Sequence, residues 1–289
     1  MNPDQYCQNK AVASGSSFYS SFRFLPEQQR RAITALYAFC REVDDVVDEC
    51  HDVNVARQTL NWWRSEVSAL YLGKATHPVT LALQNLLSDF NLAEELLHEI
   101  IDGMEMDLDI QHYPNFKELS LYCYRAASVV GLLSAEIFGF KNRNTLKYAH
   151  DLGMAFQLTN ILRDVREDAE RGRVYLPQDE LAKFGVSQED LTRPITSDAV
   201  QALFQFQAER ARDYYKKAFN ELPNEDRYTQ RVGLIMAEIY QSLLDEIEDD
   251  KYRVLEHRIK LTPLRKVWLA WRTARREKKR HKQHLRQQA

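Results

Sequence analysis

A short acidic segment, Asp44–Asp48, carries the first residues whose types and spacing could do chemistry. In a helix that advances about 100° per residue, Asp44 and Asp48 lie about 40° apart, and Tyr37 shares their face. Asp45 falls further round the helix, towards solvent. Two like charges on an inward face are unfavourable unless a cation joins them. Carboxylate oxygens suit Mg²⁺, which commonly takes one or two carboxylates plus substrate phosphate.

A second segment, from Asn160 to Asp168, repeats the pattern on another predicted helix. Asn160, Asp164 and Asp168 step by four, so they cover about 80° of one face. Gln157 continues that face one turn back. Gly153 lies one turn further back and lowers helix propensity. Because it has no side chain, we interpret it as leaving room for a substrate. The two segments together predict two stripes of oxygen ligands for Mg²⁺, and we expect more than one ion.

Each stripe has a simpler interpretation. An acidic pair at i,i+4 is usually a solvated helix face, and a single such pair would favour that reading. Here both stripes adjoin apolar runs, which favours an interior site. A non-catalytic helical scaffold that only binds metal is the alternative outside enzyme function.

Long helices must position these stripes. Glycine and proline number only 9 and 8, hydrophobic residues make up 44%, and strand-type alternation is missing. The sequence therefore predicts an all-α single domain with a loop at Gly172–Pro177. Apolar residues at three- and four-residue spacing predict helices at Glu27–Glu49, Val55–Leu72, Pro78–Phe90, Ala93–Asp109, Phe116–Phe138, Asn144–Glu170, Thr196–Glu221 and Tyr228–Asp249.

The charge distribution is strongly asymmetric. Residues 251–289 carry 14 lysines and arginines against 2 acidic residues, whereas residues 1–250 carry 25 basic and 40 acidic residues. An acidic body disfavours nucleic acid, and a basic tail with two tryptophans predicts contact with an anionic membrane surface. The alternative is a solvated, partly disordered tail. We place the domain at residues 1–266 and the tail at 267–289.

No stretch of 18 apolar residues and no signal-peptide core are evident, so we expect a cytoplasmic protein, with the tail as its contact to the inner membrane face. The four cysteines lack a CxxC spacing and predict free thiols.

The acidic segments resemble the two aspartate-rich motifs of the squalene/phytoene synthase family, as DDVVD at 44–48 and NILRDVREDAERGRVYLP at 160–177. The segments SGSSFY at 14–19, ALYAFCR at 35–41 and YCYRAA at 122–127 extend the resemblance over nearly the whole chain. The family implies an all-α isoprenoid synthase fold, helices around a central cavity, and Mg²⁺ that bridges both stripes to prenyl diphosphates.

The resemblance also implies individual roles. Metal ligands would be Asp44, Asp48, Asn160, Asp164 and Asp168. Catalytic residues would be Tyr37, Tyr122, Arg163 and Tyr175. Substrate-binding residues would be Ser17, Arg41, Gln157, Arg173, Tyr240, Arg258, and an apolar wall of Ala126, Val129 and Leu133. Guanidinium groups match diphosphate oxygens, whereas tyrosine rings can face carbocations and their hydroxyls can pass a proton.

Within the family, the N-terminal segments most resemble bacterial presqualene diphosphate synthases of hopanoid biosynthesis. This implies a head-to-head condensation of two farnesyl diphosphates without NADPH. The proton acceptor stays open between the released diphosphate and a tyrosine relay. NADPH-dependent squalene synthase and phytoene synthase are the alternatives within the family.

We predict that Asp44→Asn, Asp48→Asn, Asp164→Asn and Asp168→Asn each lose most turnover of farnesyl diphosphate, because each removes a Mg²⁺ ligand at nearly unchanged volume. Asp45→Asn is the matched control and should matter much less. Circular dichroism checks folding. A folded variant that turns over near the wild-type rate would remove that aspartate from the ligand set.

Overall fold

The computed structural model describes residues 2–15, 19, 21–50 and 52–288, and it confirms the predicted all-α fold. Outside helices and turns, the described residues form one isolated bridge, between His112 and Val174. The helices are α1 (Pro3–Ala13), α2 (Glu27–Glu49), α3 (Val53–Tyr71), α4 (Pro78–Gln84), α5 (Glu94–Asp109), α6 (Phe116–Cys123), α7 (Val129–Phe138), α8 (Asn144–Glu170), α9 (Gln178–Phe184), α10 (Gln188–Thr192), α11 (Asp198–Glu221), α12 (Arg231–Asp249) and α13 (Pro263–Gln288).

The two helices with acidic stripes, α2 and α8, begin and end where the sequence predicts. Helix α4 is shorter than predicted, because its chain continues after Gln84 in turns. Helix α1 was not predicted, although its signals are present: Asn2 caps the Asp4 amide at 3.0 Å and Pro3 occupies the first turn. The predicted loop at Gly172–Pro177 is observed.

The predicted helix at Phe116–Phe138 is interrupted by a π-helical turn at Tyr124–Ser128, which separates α6 from α7. A π turn holds more residues than an α turn, so it changes which side chains of α7 face inward. Gly153 of α8 packs against this turn, since a Cβ there would lie 2.5 Å from Ser128 Cα. The close approach of two backbones, rather than room for a substrate alone, therefore requires glycine at this position.

The continuous stretch Phe116–Phe138 also has the length and mean hydropathy, 1.2, of a membrane span. Its packing argues for a place inside the bundle instead. Helix α7 lies against α5 and α8, and Leu119, Cys123 and Leu133 have no exposed surface. The apolar composition of this stretch is explained by burial in the protein core.

The predicted boundary at residue 266 falls inside α13. The inner face of this helix packs on α12, and its Leu269, Thr273 and Glu277 are almost fully buried. The segment from 267 to 288 is therefore helical, and its inner face packs on the body of the protein. The described cysteines Cys7, Cys40, Cys50 and Cys123 are free thiols, as predicted.

Candidate active site

An apolar cavity of about 230 Å³ lies between α2, α7, α8 and α12. Phe22 and Phe138 line its walls together with Ile33 of α2. The polar side chains of Gln157 and Asn160 on α8 also line it. The cavity therefore combines a hydrocarbon-lined interior with a polar region, as a ligand with an apolar chain and a charged head requires.

The acidic stripes continue the cavity walls. On α2, Tyr37 and Cys40 line the cavity, and Asp44 follows Cys40 one helical turn later. On α8, Asn160 lines the cavity and Asp164 follows one turn later. Both stripes thus extend from the same polar region, which we call the acidic mouth: Asp44, Asp48, Asp164, Asp168 and Asp107.

On the α2 side of the mouth, arginines hold the carboxylates. Arg41 forms ion pairs with Asp44 and, at 2.5 Å, with Asp45. Arg173 reaches across from the loop after α8 to Asp48, at 2.8 Å, and to the Val47 carbonyl, at 3.0 Å. These contacts join the two acidic motifs through one guanidinium.

The expectation that Asp45 points towards solvent is wrong. Its side chain is 17% exposed, against 31% for Asp44. Helix α1 covers it, and Lys10 of α1 forms a 2.8 Å ion pair with Asp45. Asp45 still lies off the stripe, because this pairing turns it towards α1 rather than towards the mouth.

On the α8 side, Arg163 donates to both carboxylate oxygens of Asp164, with a 2.8 Å contact from Nε. The Tyr240 hydroxyl bonds Arg163 and the Asn160 side chain, so α12 supports the stripe from behind. Arg258, on the loop after α12, reaches Asp164 at 3.1 Å and Glu167 at 2.9 Å. The predicted diphosphate-binding arginines thus converge on the acidic mouth.

The loop at Gly172–Pro177 aligns its side chains by backbone pairing. Gly172 adopts φ +81°, and the Val174 amide donates to the Gln111 carbonyl at 2.9 Å. The Gln178 amide likewise donates to the Tyr113 carbonyl at 2.9 Å. The loop is therefore fixed against the segment that follows α5, which directs Arg173 to Asp48 and brings Tyr175 next to Asp107.

Asp107 of α5 lies in the candidate site, and sequence reasoning assigned it no role. It accepts hydrogen bonds from Tyr175, at 2.7 Å, and from Tyr122, at 3.1 Å, and the two rings stack with centroids 4.9 Å apart. Its signal in the sequence was the acidic run 105–109 on a predicted helix, which did not distinguish it from Asp109 at the surface. Asp109 pairs with Arg57 and is 53% exposed.

Burial and mutual repulsion perturb the carboxylates of the mouth. Burial raises the pKa of Asp44 to about 6. The charge of Arg41 lowers this pKa in part, whereas the charges of Asp48 and Asp107 raise it further. Burial likewise raises the pKa of Asp107 to about 6. Burial, with the charges of Asp164 and Asp107, raises the pKa of Asp168 to about 7. The site is thus short of positive charge near neutral pH.

Burial also raises the pKa of Tyr122 and Tyr175 well above the usual value. Both hydroxyls therefore keep their protons and act as donors to Asp107. They lie beside the acidic mouth, whereas Tyr37 lines the cavity and donates to Ser14 Oγ at 2.9 Å.

The predicted apolar wall is wrong at Val129 and Leu133, which have no exposed surface and pack into the core. Ala126 does line the cavity, and beyond it the wall is formed by Val130 and Ser134. The π turn explains the difference, because it shifts the helical phase that a continuous α-helix would have. Ser17 lies outside the described residues.

The donor set fits a hard divalent cation. The Asn160 Oδ1 atom is buried and accepts no hydrogen bond, although it lies next to the aspartate stripe. Three carboxylates of the mouth have raised pKa values, so a cation would relieve their repulsion. Within the described ranges no three His, Cys, Asp or Glu residues form a preformed metal centre. Substrate oxygens would have to complete the coordination of each ion.

The fold and this site together define an isoprenoid synthase. The sequence profile described as Squalene/phytoene synthase matches residues 11–265. The chain belongs to this family, as its motifs predict.

Individual relatives and solved structures agree with this membership. The chain is 40% identical over 237 residues to the presqualene diphosphate synthase of Rhodopseudomonas palustris, covering 82% of this chain and 85% of that protein. It is 35% identical over 276 residues to the 15-cis-phytoene synthase of Synechococcus elongatus, covering 90% and 89%. A dehydrosqualene synthase solved with a ligand superposes with a TM-score of 0.84 at 27% identity, covering 96% and 97% of the two chains.

We predict that Asp168→Asn stabilises the metal-free protein at about pH 8 by on the order of 2 kcal/mol, a figure reduced for the partial exposure of the group. The raised pKa means that the folded protein keeps a proton on Asp168 that the unfolded chain releases from about pH 4 upwards. The buried Asp168 therefore lowers the wild-type free energy of unfolding progressively as the pH rises from about 4 to about 7. The stabilisation by Asp168→Asn should reach its full size above about pH 7 and should be absent near pH 4.

Urea unfolding at both pH values, with a chelator present, measures this difference. Asp164→Asn is the matched control, and it should lower stability because it breaks the pair with Arg163. Equal destabilisation by both substitutions would show that Asp168 is held by favourable contacts instead.

Proposed function

We propose that this enzyme joins two farnesyl diphosphates head to head and releases presqualene diphosphate and diphosphate. The observation that carries the chemistry is the acidic mouth of α2 and α8 at the polar region of an apolar cavity. It can hold two diphosphate groups while their prenyl chains lie in the hydrocarbon-lined space. The choice of product rests on the 40% identity to a presqualene diphosphate synthase, against 35% for a phytoene synthase.

Asp44, Asp48, Asn160, Asp164 and Asp168 would hold Mg²⁺, with the ions completed by diphosphate oxygens. When bound, the metal draws charge onto the leaving diphosphate. Arg41, Arg163, Arg173 and Arg258 pair with these aspartates in the ligand-free protein. Substrate would therefore exchange arginine–aspartate pairs for arginine–phosphate and metal–aspartate contacts, and the arginines would orient the diphosphates.

In the reaction, the C1–O bond of one farnesyl diphosphate breaks, and its electron pair leaves with the diphosphate. The C2=C3 double bond of the second molecule attacks the resulting allylic cation, and loss of one proton closes a cyclopropane. Apolar walls exclude water, which would otherwise capture the cation as an alcohol. The tyrosine rings near the mouth can stabilise positive charge.

Asp107 is the group that we propose takes up the proton. Tyr122 and Tyr175 both donate to its carboxylate, so either hydroxyl can pass a proton to it and be reprotonated in one step. A pKa of about 6 leaves Asp107 ionised near neutral pH and able to accept. NADPH has no role in this scheme, because the reaction ends before any reduction.

Mass spectrometry of products from purified protein, Mg²⁺ and farnesyl diphosphate tests the proposal. We expect presqualene diphosphate, unchanged by NADPH. Squalene that forms only with NADPH would establish a squalene synthase. Preferred turnover of geranylgeranyl diphosphate to 15-cis-phytoene would establish a phytoene synthase, and no turnover of either substrate would favour a metal-binding scaffold.

We predict that Asp107→Asn lowers kcat by at least about 100-fold with little change in KM, because the proton acceptor is lost at constant volume. Asp109→Asn, two residues along the same helix, is the matched control and should keep kcat near wild type. Tyr122→Phe and Tyr175→Phe singly should have smaller effects, since each leaves one hydroxyl on Asp107. A wild-type kcat in folded Asp107→Asn would remove this residue from the proton transfer.

A further inference from the structure

Helix α13 has two faces of opposite character. Leu269, Ala270, Thr273 and Glu277 point inward and are almost fully buried. Glu277 is the only acidic residue of the helix, and Arg227 of the loop before α12 pairs with it at 3.2 Å. The outward face therefore carries no acidic side chain.

The first half of the outward face is apolar. Leu264, Val267, Trp268 and Trp271 are exposed by 84, 58, 51 and 52%. Their spacing of three, one and three residues places them on one stripe of the helix. A single exposed apolar side chain is ordinary, but four large ones in one stripe mark an interaction surface.

The second half of the same face is basic. From one to four turns beyond Trp271, the stripe continues as exposed cations: Arg275, Lys278, Lys279, Lys282 and Arg286. Arg272 and Arg275 also lie over the rings of Trp268 and Trp271, at 4.5 and 5.2 Å from the centroids. The outward face thus has an apolar half followed by a cationic half, and the opposite face of the helix packs on the protein.

We propose that the outward face of α13 docks on a lipid bilayer that contains anionic headgroups. Tryptophan rings favour the headgroup level, and apolar neighbours enter the boundary with the acyl chains. The five cations are attracted to the negative surface potential of such a bilayer. A polyanion such as RNA fits less well, because it would leave Leu264 and Val267 in water and would meet an acidic body.

The first turn of α13, on the side away from this stripe, lies near the candidate active site. Burial, together with the charge of Arg163, lowers the pKa of Lys266 on that side. A docked α13 would therefore hold the acidic mouth near the membrane, where long prenyl chains partition. This benefit rests on the proposed function, whereas the docking itself does not.

Point substitutions test the proposal, because truncation before α13 would uncover the buried face of α12. The protein is sedimented with vesicles of phosphatidylcholine alone or with about one third phosphatidylglycerol, at low and high salt. Trp268→Gln/Trp271→Gln removes the apolar part, and Lys278→Glu/Lys282→Glu reverses two cations. Trp62→Gln, at a tryptophan 45% exposed on α3, is the control for the first variant. Lys147→Glu/Lys216→Glu, with the same change in net charge, is the control for the second.

We expect wild type and both controls to bind anionic vesicles and to dissociate at high salt. Each α13 variant should bind at least about tenfold more weakly, with an unchanged circular dichroism spectrum. Wild-type binding by the α13 variants, or equal binding to neutral vesicles, would overturn the proposal. So would capture of a short RNA duplex without vesicle binding. Failure of the protein to turn over farnesyl diphosphate would contradict the proposed function and not the docking proposal, because sedimentation does not depend on the reaction.

Discussion

The crowding of carboxylates around one cavity is the constraint on which the rest of this structure depends. Asp44, Asp107 and Asp168 come from three different helices, and burial raises the pKa of each. Such a site is unfavourable by itself, so the surrounding chain is arranged to compensate it. Arginines from α2, from α8, and from the loops after α8 and α12 supply the compensating charge. In the proposed reaction the same arginines are already positioned when diphosphate and metal arrive.

Compensation of this kind requires backbone segments to pack closely against one another, which explains several local features. Arg173 reaches Asp48 from a loop that is hydrogen-bonded to the segment after α5. That same pairing sets Tyr175 against Asp107, so one loop completes both the charge balance and the tyrosine cluster. The contact of Gly153 with the π turn brings α8 close to the helix that forms the opposite cavity wall. Polar chemistry and apolar volume are therefore built by the same helix contacts.

In the C-terminal helix α13, packing likewise fixes the position of groups at the surface. Its buried inner face packs on α12, and Glu277 pairs with Arg227, so the exposed stripe is presented at a fixed position on the protein. A disordered basic tail could supply charge, but only a packed helix aligns the two tryptophans with the cations that follow. The acidic body and basic face also explain how a net charge of -3 conceals two surfaces of opposite sign.

Sequence alone determined the all-α fold, the bounds of α2 and α8, and the aspartate stripes, because helical periodicity and i,i+4 spacing are local properties. The sequence also indicated the family, because the motifs that identify it are contiguous in the chain. Tertiary structure alone decided that Asp107 joins the site, that Asp45 turns to Lys10, and that Val130 rather than Val129 lines the cavity. Each of these depends on a contact between distant segments, or on a π turn whose extra residue changes the helical phase, and neither is encoded in the local pattern of apolar and polar residues.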